Sequence, residues 1–163
     1  MKKENDLFYR VCNGVSDYGT YVPANKDLSK VIKDYGTDHY RSIYLYSKEQ
    51  VEKAKETITV KKNNKTYQRP RGVAGVTDVV TNELVWDFDD KDNLERAKSD
   101  AQELIKRLQE NNIPDDCINL YFSGNKGFAI HVFTDNEFTP SQFKAVTSSL
   151  AHNLPTYDSV VSN

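Results

Sequence analysis

The sequence predicts an α+β protein in which an N-terminal α/β module, residues 1–83, precedes a βαββαβ sheet module, residues 84–163. Two observations lead to this prediction. Beyond residue 83, short apolar runs with strand periodicity alternate with two stretches of helical periodicity. The charge also changes there, because the first 83 residues hold fifteen lysines and arginines against eleven acidic residues, and the remainder holds seven against thirteen. A basic half, suited to phosphates, is thus joined to an acidic half, suited to cations.

The N-terminal module has few clearly periodic segments. We expect a short strand around residues 7–12, a short helix beginning at Asp27, and a strand over residues 41–46, where β-forming side chains alternate. Ser47 is a typical N-cap for the helical stretch that follows it, residues 48–55. The module is therefore predicted to mix short strands with two helices.

A basic tract over residues 61–71 stands out in this module. It has no acidic residue, and its five basic side chains are Lys61, Lys62, Lys65, Arg69 and Arg71. We expect an exposed, partly mobile loop that contacts the phosphates of a template or nucleotide, since such tracts supply the electrostatic part of nucleic-acid binding. A generic solvated loop is the alternative.

The second module is more regular, and its segments follow the order strand, helix, strand, strand, helix, strand. The six predicted segments are residues 84–89, 93–111, 118–122, 128–133, 140–152 and 157–161. Asp92 and Thr139 are the predicted N-caps of the two helices. This order is that of the ferredoxin-like or RRM-like unit, which packs two helices against one face of an antiparallel sheet.

In that topology, acidic side chains gather on the sheet face that the helices leave open. The first and third strands are central neighbours, and the fourth lies beside the first. Alternation along the strands places Asp87, Asp89 and His131 on the open face, with Asp158 on the adjacent fourth strand. Carboxylates this close repel one another unless a cation lies between them.

Such a cluster supplies the oxygen ligands that Mg²⁺ prefers, since this ion typically takes one or two carboxylates together with substrate phosphates. Two carboxylates about 7 Å apart along one strand can also bridge two metal ions about 4 Å apart, as in nucleotidyl transfer. The alternative is that Asp87, Asp89 and Asp90 merely end a strand and solvate the turn that follows.

A second candidate site is the turn Ser123-Gly124-Asn125-Lys126-Gly127. Its two glycines permit positive φ angles and close approach of the backbone, and Lys126 adds a positive charge. Backbone N–H groups in such a turn can hold a triphosphate. A simple hairpin loop, in which Asn125 and Gly127 supply the turn conformation, is the alternative.

The order of these motifs resembles the archaeo-eukaryotic primase superfamily, and in particular the primase-polymerases of phages and plasmids. The resemblance covers residues 84–163 and rests on a strand ending in Asp-Phe-Asp, the run Tyr-Phe-Ser-Gly-Asn-Lys-Gly-Phe and a histidine in the next strand. It implies that Asp87, Asp89 and Asp158 are catalytic residues that bind Mg²⁺ or Mn²⁺.

The same resemblance implies that Ser123 and His131 hold the phosphates of the incoming nucleotide. The sequence departs from the family pattern in two ways. The family often has its histidine where Ala129 stands here, so His131 keeps the same strand face but lies about 7 Å further along. The chain also ends five residues after Asp158, so we expect a shortened catalytic unit with little synthesis of its own.

These observations favour a DNA primase or primase-polymerase that carries out two-metal nucleotidyl transfer in replication. The implied partners are a single-stranded DNA template, NTP or dNTP substrates and a replicative helicase. The alternative is a non-catalytic RRM-like nucleic-acid-binding module, which would present aromatic side chains where this sequence has Asp87, Asp89 and His131. A glycosyltransferase that uses Asp-x-Asp is disfavoured by the order of strands and helices.

The sequence has no signal for a membrane or for secretion. No apolar run approaches the roughly 18 residues that a membrane span needs, and no signal peptide opens the chain. Cys12 and Cys117 lie far apart and lack a metal-type spacing. We therefore expect a cytoplasmic protein, of a bacterium or a phage-infected host cell, without a structural zinc, a disulfide framework or a membrane partner.

Overall fold

The computed structural model describes residues 7–12, 18–27, 40–123 and 126–159. The chain divides into two compact units, one ending at Val80 and the other beginning at Thr81. Antiparallel sheets and helices occur in both units, so the predicted α+β class is confirmed. The helix predicted to begin at Asp27 lies outside the described residues.

The first unit is built around a small antiparallel sheet. Its four strands are β1 (Leu7–Cys12), β2 (Thr20–Pro23), β3 (Tyr40–Arg41) and β4 (Tyr46–Ser47). Strand β1 is central and pairs with β2, β3 and β4. Its inward side chains Leu7 and Tyr9 pack with Leu45 in a buried cluster.

The strand predicted over residues 41–46 is interrupted, so this prediction is wrong in part. The hydroxyl of Ser42 accepts a hydrogen bond from the Arg10 backbone N–H at 3.0 Å and donates one to the Tyr44 carbonyl at 2.8 Å. These local side-chain hydrogen bonds replace strand pairing at Ser42, and the chain bends between β3 and β4.

Helix α1 (Lys48–Lys55) begins after Ser47, as predicted. The Ser47 hydroxyl accepts from the Gln50 N–H at 3.3 Å, and the Gln50 side chain accepts from the Ser47 N–H at 2.7 Å. This reciprocal pair is a capping box, which satisfies two backbone donors at the helix start. Val51 is buried on the inner side of the helix.

The basic tract is a β-hairpin rather than the expected loop. Strands β5 (Thr57–Lys62) and β6 (Lys65–Pro70) pair along their whole length. Asn63 and Asn64 form the two-residue turn between them, with φ angles of 49° and 60°. Asparagine tolerates this left-handed conformation, which matches the twist of a two-residue hairpin turn. The expectation that the tract is exposed is confirmed.

The described part of the second unit contains one three-stranded sheet and two helices. Its elements are β7 (Thr81–Asp89), α2 (Leu94–Glu110), a 3₁₀ turn (Asp115–Cys117), β8 (Ile118–Phe122), β9 (Gly127–Phe138) and α3 (Pro140–Leu150). Strand β9 lies between β7 and β8 and is antiparallel to both. Of the predicted fourth strand, the described part forms one antiparallel bridge, between Tyr157 and Phe88; residues 160–161 lie outside the described residues.

Helices α2 and α3 cover one face of this sheet. The buried residues of α2 are Ala97, Ala101, Leu104 and Leu108, which lie at helical spacing. Trp86 is fully buried from β7, and its indole N–H donates to the Thr147 carbonyl of α3 at 2.9 Å. No helix in the described part of the chain combines the length and the apolar character needed to cross a membrane.

The N-cap of α2 is Asn93 rather than Asp92, so that prediction is off by one residue. The Asn93 side chain accepts from the Arg96 N–H at 3.1 Å. The backbone N–H groups of Asp92 and Asn93 both donate to the carboxylate of Asp90, at 3.1 and 3.0 Å, and this turn precedes the helix with Asn93 at the N-cap position. Asp90 therefore organises the turn, as the alternative interpretation of this aspartate had it. Thr139 caps α3 as predicted.

Candidate active site

The sheet face opposite the helices carries the predicted acidic residues. In the pairing of β7 with β9, Asp87 lies opposite Ala129 and Val85 lies opposite His131. Residues directly opposite in an antiparallel pair share a face. Asp87 and His131 are therefore on one face, and the buried side chain of Trp86 is on the other.

Asp158 is held beside Asp87 by backbone hydrogen bonds. The Asp158 N–H donates to the Asp87 carbonyl at 2.8 Å, and the Asp89 N–H donates to the Thr156 carbonyl at 2.9 Å. Thr156 is in turn fixed by α2, because its backbone N–H and its hydroxyl both donate to the carboxylate of Asp100, at 2.9 and 2.7 Å. The third predicted carboxylate thus lies next to the first two.

The charges of this group influence one another. Burial raises the pKa of Asp87, and the nearby carboxylates of Asp89 and Asp158 raise it further, while Lys126 acts against them. Lys126 forms an ion pair with Asp89. The hydrogen bond from Lys126 to Asp89 raises the pKa of Lys126, and partial desolvation lowers this pKa. The negative charges of Asp89, Asp87 and Asp158 raise it further. We call Asp87, Asp89 and Asp158 the acidic cluster; Lys126 neutralises part of its charge.

The turn that carries Lys126 is closed by Ser123. The Ser123 hydroxyl accepts from the Gly127 N–H at 2.9 Å and donates to the Gly127 carbonyl at 3.0 Å. Gly127 lies opposite Asp89, and a Cβ atom there would collide with the Phe88 carbonyl and the Asp89 carboxylate. The close approach of the two strands therefore requires glycine. Gly124 and Asn125, also predicted to bind nucleotide, lie outside the described residues.

His131 has a buried partner that the sequence analysis missed. Its Nδ1 lies 2.6 Å from a carboxylate oxygen of Glu83, which is 0% exposed. Its ring also meets the ring of Tyr121 on β8 edge to face, with the centroids 5.0 Å apart. Period-two alternation continued backwards from Asp87 through Val85 reaches Glu83, so this residue could have been found by extending the predicted strand.

The acidic cluster has the donor chemistry of a site for a hard divalent cation, because carboxylate oxygens are the preferred ligands of Mg²⁺. The mutual repulsion that raises the pKa of Asp87 is what such a cation would relieve. Within the described residues, no group of three or more histidine, cysteine, aspartate or glutamate side chains is already arranged to hold a metal ion. Lys126 contacts the cluster through Asp89.

Aromatic side chains accompany His131 on the open face. Tyr121 lies opposite Ala129 on β8, and Phe133 lies opposite Glu83 on β9. They are 51% and 45% exposed. This face therefore combines acidic groups at one end with accessible rings beside His131.

The β5–β6 hairpin of the first unit carries accessible basic groups. Lys61, Lys62 and Lys65 are exposed around its turn, with no ion-pair partner in the described part of the chain. Arg71, by contrast, donates two hydrogen bonds to the carboxylate of Glu56, at 3.0 and 3.2 Å. Three lysines of the basic tract are thus available for an external anion.

Comparisons with family models, with curated proteins and with solved structures find no match to this chain.

Proposed function

We propose that the second unit is the catalytic module of a DNA primase or primase-polymerase, which joins nucleotides on a single-stranded DNA template. The observation that carries the proposal is the grouping of the acidic cluster with Lys126 and His131 on one sheet face. Like charges that are partly buried together destabilise the folded chain. Such groupings are therefore typical of functional sites, where the charges are needed for binding or catalysis.

We also propose that this unit has the RRM-like arrangement. The order across the sheet supports it, since the Tyr157 segment adjoins β7, and β9 and β8 follow on the other side. Two helices on one face agree with the βαββαβ unit.

In this proposal Asp87, Asp89 and Asp158 hold Mg²⁺ or Mn²⁺. The bound ion would supply positive charge for the reacting phosphate and activate the attacking 3′-hydroxyl. Lys126 would exchange its contact with Asp89 for the phosphates of the incoming NTP or dNTP, and His131 would hold the same phosphates from further along the sheet.

The lysines of the β5–β6 hairpin would neutralise the phosphates of the template, because they are exposed and have no ion-pair partner among the described residues. As a replication enzyme, the protein would work in the cytoplasm beside a replicative helicase. These partners follow from the resemblance of residues 84–163 to primase-polymerases.

The test is nucleotide incorporation by the purified chain, with labelled NTPs and dNTPs, on a primed and an unprimed single-stranded template. Reactions with Mg²⁺, with Mn²⁺ and with a chelator are compared. We expect weak incorporation that needs a divalent ion and falls below detection in Asp87→Asn and Asp89→Asn. The control is Asp135→Asn, an exposed aspartate on β9 outside the cluster. Incorporation that survives both cluster substitutions would contradict the proposal.

A second candidate is a non-catalytic nucleic-acid-binding module, favoured by the exposed rings of Tyr121 and Phe133 on the open face. Exposed aromatic residues on such a sheet stack on the bases of single-stranded nucleic acid. This function predicts single-stranded DNA binding that persists in the chelator and in Asp87→Asn, with no incorporation in any reaction.

A further inference from the structure

Glu83 is a fully buried carboxylate whose partner, His131, lies on the face of the acidic cluster. We infer that Glu83 is a positioning residue, which orients His131 to hold the triphosphate of the incoming nucleotide. This inference rests on the proposed function of the face. It assigns a role to a residue outside both the Asp-Phe-Asp strand end and the Ser123–Gly127 turn.

Stability is a weak reason for a carboxylate at this position. The attraction between two buried charges often no more than offsets the cost of removing them from water, and apolar residues of similar volume often stabilise a fold as well. The next two residues of β7, Leu84 and Val85, are buried and apolar. A buried ionisable group paired with a histidine beside a polar face is more typical of a functional arrangement.

The contacts of His131 leave one ring nitrogen for a ligand. Nδ1 faces Glu83 at 2.6 Å, and the ring edge is set against Tyr121. When the Glu83 carboxylate is ionised it only accepts hydrogen bonds, and Nδ1 is then the donor in this contact. To hold a phosphate oxygen, Nε2 must donate a hydrogen bond, and the contact of Nδ1 with Glu83 orients the ring for this.

The register places this nitrogen within reach of the same ligand as the acidic cluster. His131 lies opposite Val85, two residues from the pair Asp87–Ala129. Strand spacing then puts the Cα atoms of His131 and Asp87 about 8 Å apart on one face. Side chains at that separation can contact one phosphate chain between them.

The first test is the ring spectrum of His131, recorded by ¹H–¹⁵N correlation on the full chain without nucleotide. In the wild-type chain we expect a single form with a proton on Nδ1. Glu83→Gln keeps the size of the side chain but can donate as well as accept, so we expect the two neutral tautomers to mix. An unchanged His131 spectrum in Glu83→Gln would overturn the inference, because Glu83 would then not set the state of the ring.

The second test is calorimetric binding of dATP and of dAMP, with Mg²⁺ and without template. We expect His131→Ala to weaken dATP binding about 10- to 100-fold, the usual effect of losing a hydrogen bond to a charged group. Glu83→Gln should weaken dATP binding several-fold and leave dAMP binding unchanged. The double variant should match His131→Ala alone, because Glu83 acts through the histidine.

Two exposed residues give matched controls, His152→Ala and Glu137→Gln, and both should bind dATP like the wild-type chain. Glu83→Ala removes the buried side chain itself and can lose stability, so circular dichroism and thermal melts accompany every variant. The positioning role is therefore judged on Glu83→Gln.

The outcomes distinguish failure of the proposed function from failure of the positioning role of Glu83. Failure of the wild-type chain to bind dATP would overturn the proposed function and this inference with it. Wild-type binding that falls in His131→Ala but not in Glu83→Gln would overturn the positioning role alone. Equal losses for dATP and dAMP in Glu83→Gln would do the same, since they would reveal a general structural effect.

Discussion

Neutralising three lysines of the β5–β6 hairpin should reduce the salt dependence of DNA binding by a defined amount. Lys61, Lys62 and Lys65 flank the Asn63–Asn64 turn, and Lys62 lies directly opposite Lys65 in the strand register. Like charges directly opposite on a hairpin are destabilising. An external anion would relieve this repulsion, so we expect these side chains to contact the phosphates of a bound strand.

The magnitude follows from the number of available cations. Each phosphate contact contributes about 0.7 to the slope of log affinity against log salt for single-stranded DNA. Removing three contacts in the triple variant Lys61→Gln, Lys62→Gln, Lys65→Gln should therefore lower the slope by about 2. Arg71 is not counted among them, because Glu56 already holds its guanidinium.

The assay is fluorescence anisotropy with a labelled oligothymidylate, titrated at several NaCl concentrations between about 50 and 200 mM, where such contacts change affinity most clearly. The matched control, Lys91→Gln with Lys98→Gln and Lys106→Gln, removes the same charge from around α2 in the second unit. Its slope should stay at the wild-type value. Equal slopes for the wild-type chain and the hairpin variant would refute the reasoning, and equal reductions in both variants would assign the effect to net charge.

Three further predictions concern stability. Because the pKa of Asp87 is raised in the folded state, the native chain binds this proton more tightly than the unfolded chain. Its contribution is present below the unfolded pKa and is lost as the pH rises through the folded pKa, so Asp87→Asn should raise the melting temperature at pH 7 but not near pH 3 in thermal melts. Gly127→Ala should destabilise by about 1–3 kcal/mol in urea titrations, since the new Cβ collides with the Phe88 carbonyl; an unchanged midpoint would contradict the close strand approach. Leu104→Ala should cost about 2–5 kcal/mol by cavity formation, against a change within about 0.5 kcal/mol for the exposed Leu120→Ala; similar effects of the two would mean that Leu104 is not a core residue.

The second unit was largely predictable because its periodicity is strong. Alternation over residues 84–89 separates Trp86 and Phe88 from Asp87 and Asp89, and the structure buries the first pair completely. Such alternation is informative because a shift by one residue would turn every side chain to the wrong face. The shared face of Asp87 and His131 followed from the same pattern.

The features that the sequence did not predict depend mostly on hydrogen bonds between a few particular atoms. The Ser42 hydroxyl breaks a strand whose residues have good strand propensity, and the Asp90 carboxylate moves a helix start by one residue. In the basic tract, the high charge favoured a loop, although Asn63 and Asn64 are turn-forming residues between two runs of strand-forming residues. Glu83 was missed because the predicted strand began at Leu84, three residues after the observed start of β7 at Thr81.

Asp100 on helix α2 holds the segment that carries Asp158 in place. By accepting both hydrogen bonds from Thr156, it ties helix α2 to the segment that delivers Asp158 to the edge of β7. Short segments of this kind open locally at a lower free energy than global unfolding. The fraction of molecules in which Asp158 lies beside Asp87 therefore depends on how often the Asp100–Thr156 hydrogen bonds are formed. The amide exchange rates of Asp158 and Asp89 measure this fraction. The acidic cluster can therefore lose its third carboxylate for brief periods while the sheet and the helices remain folded.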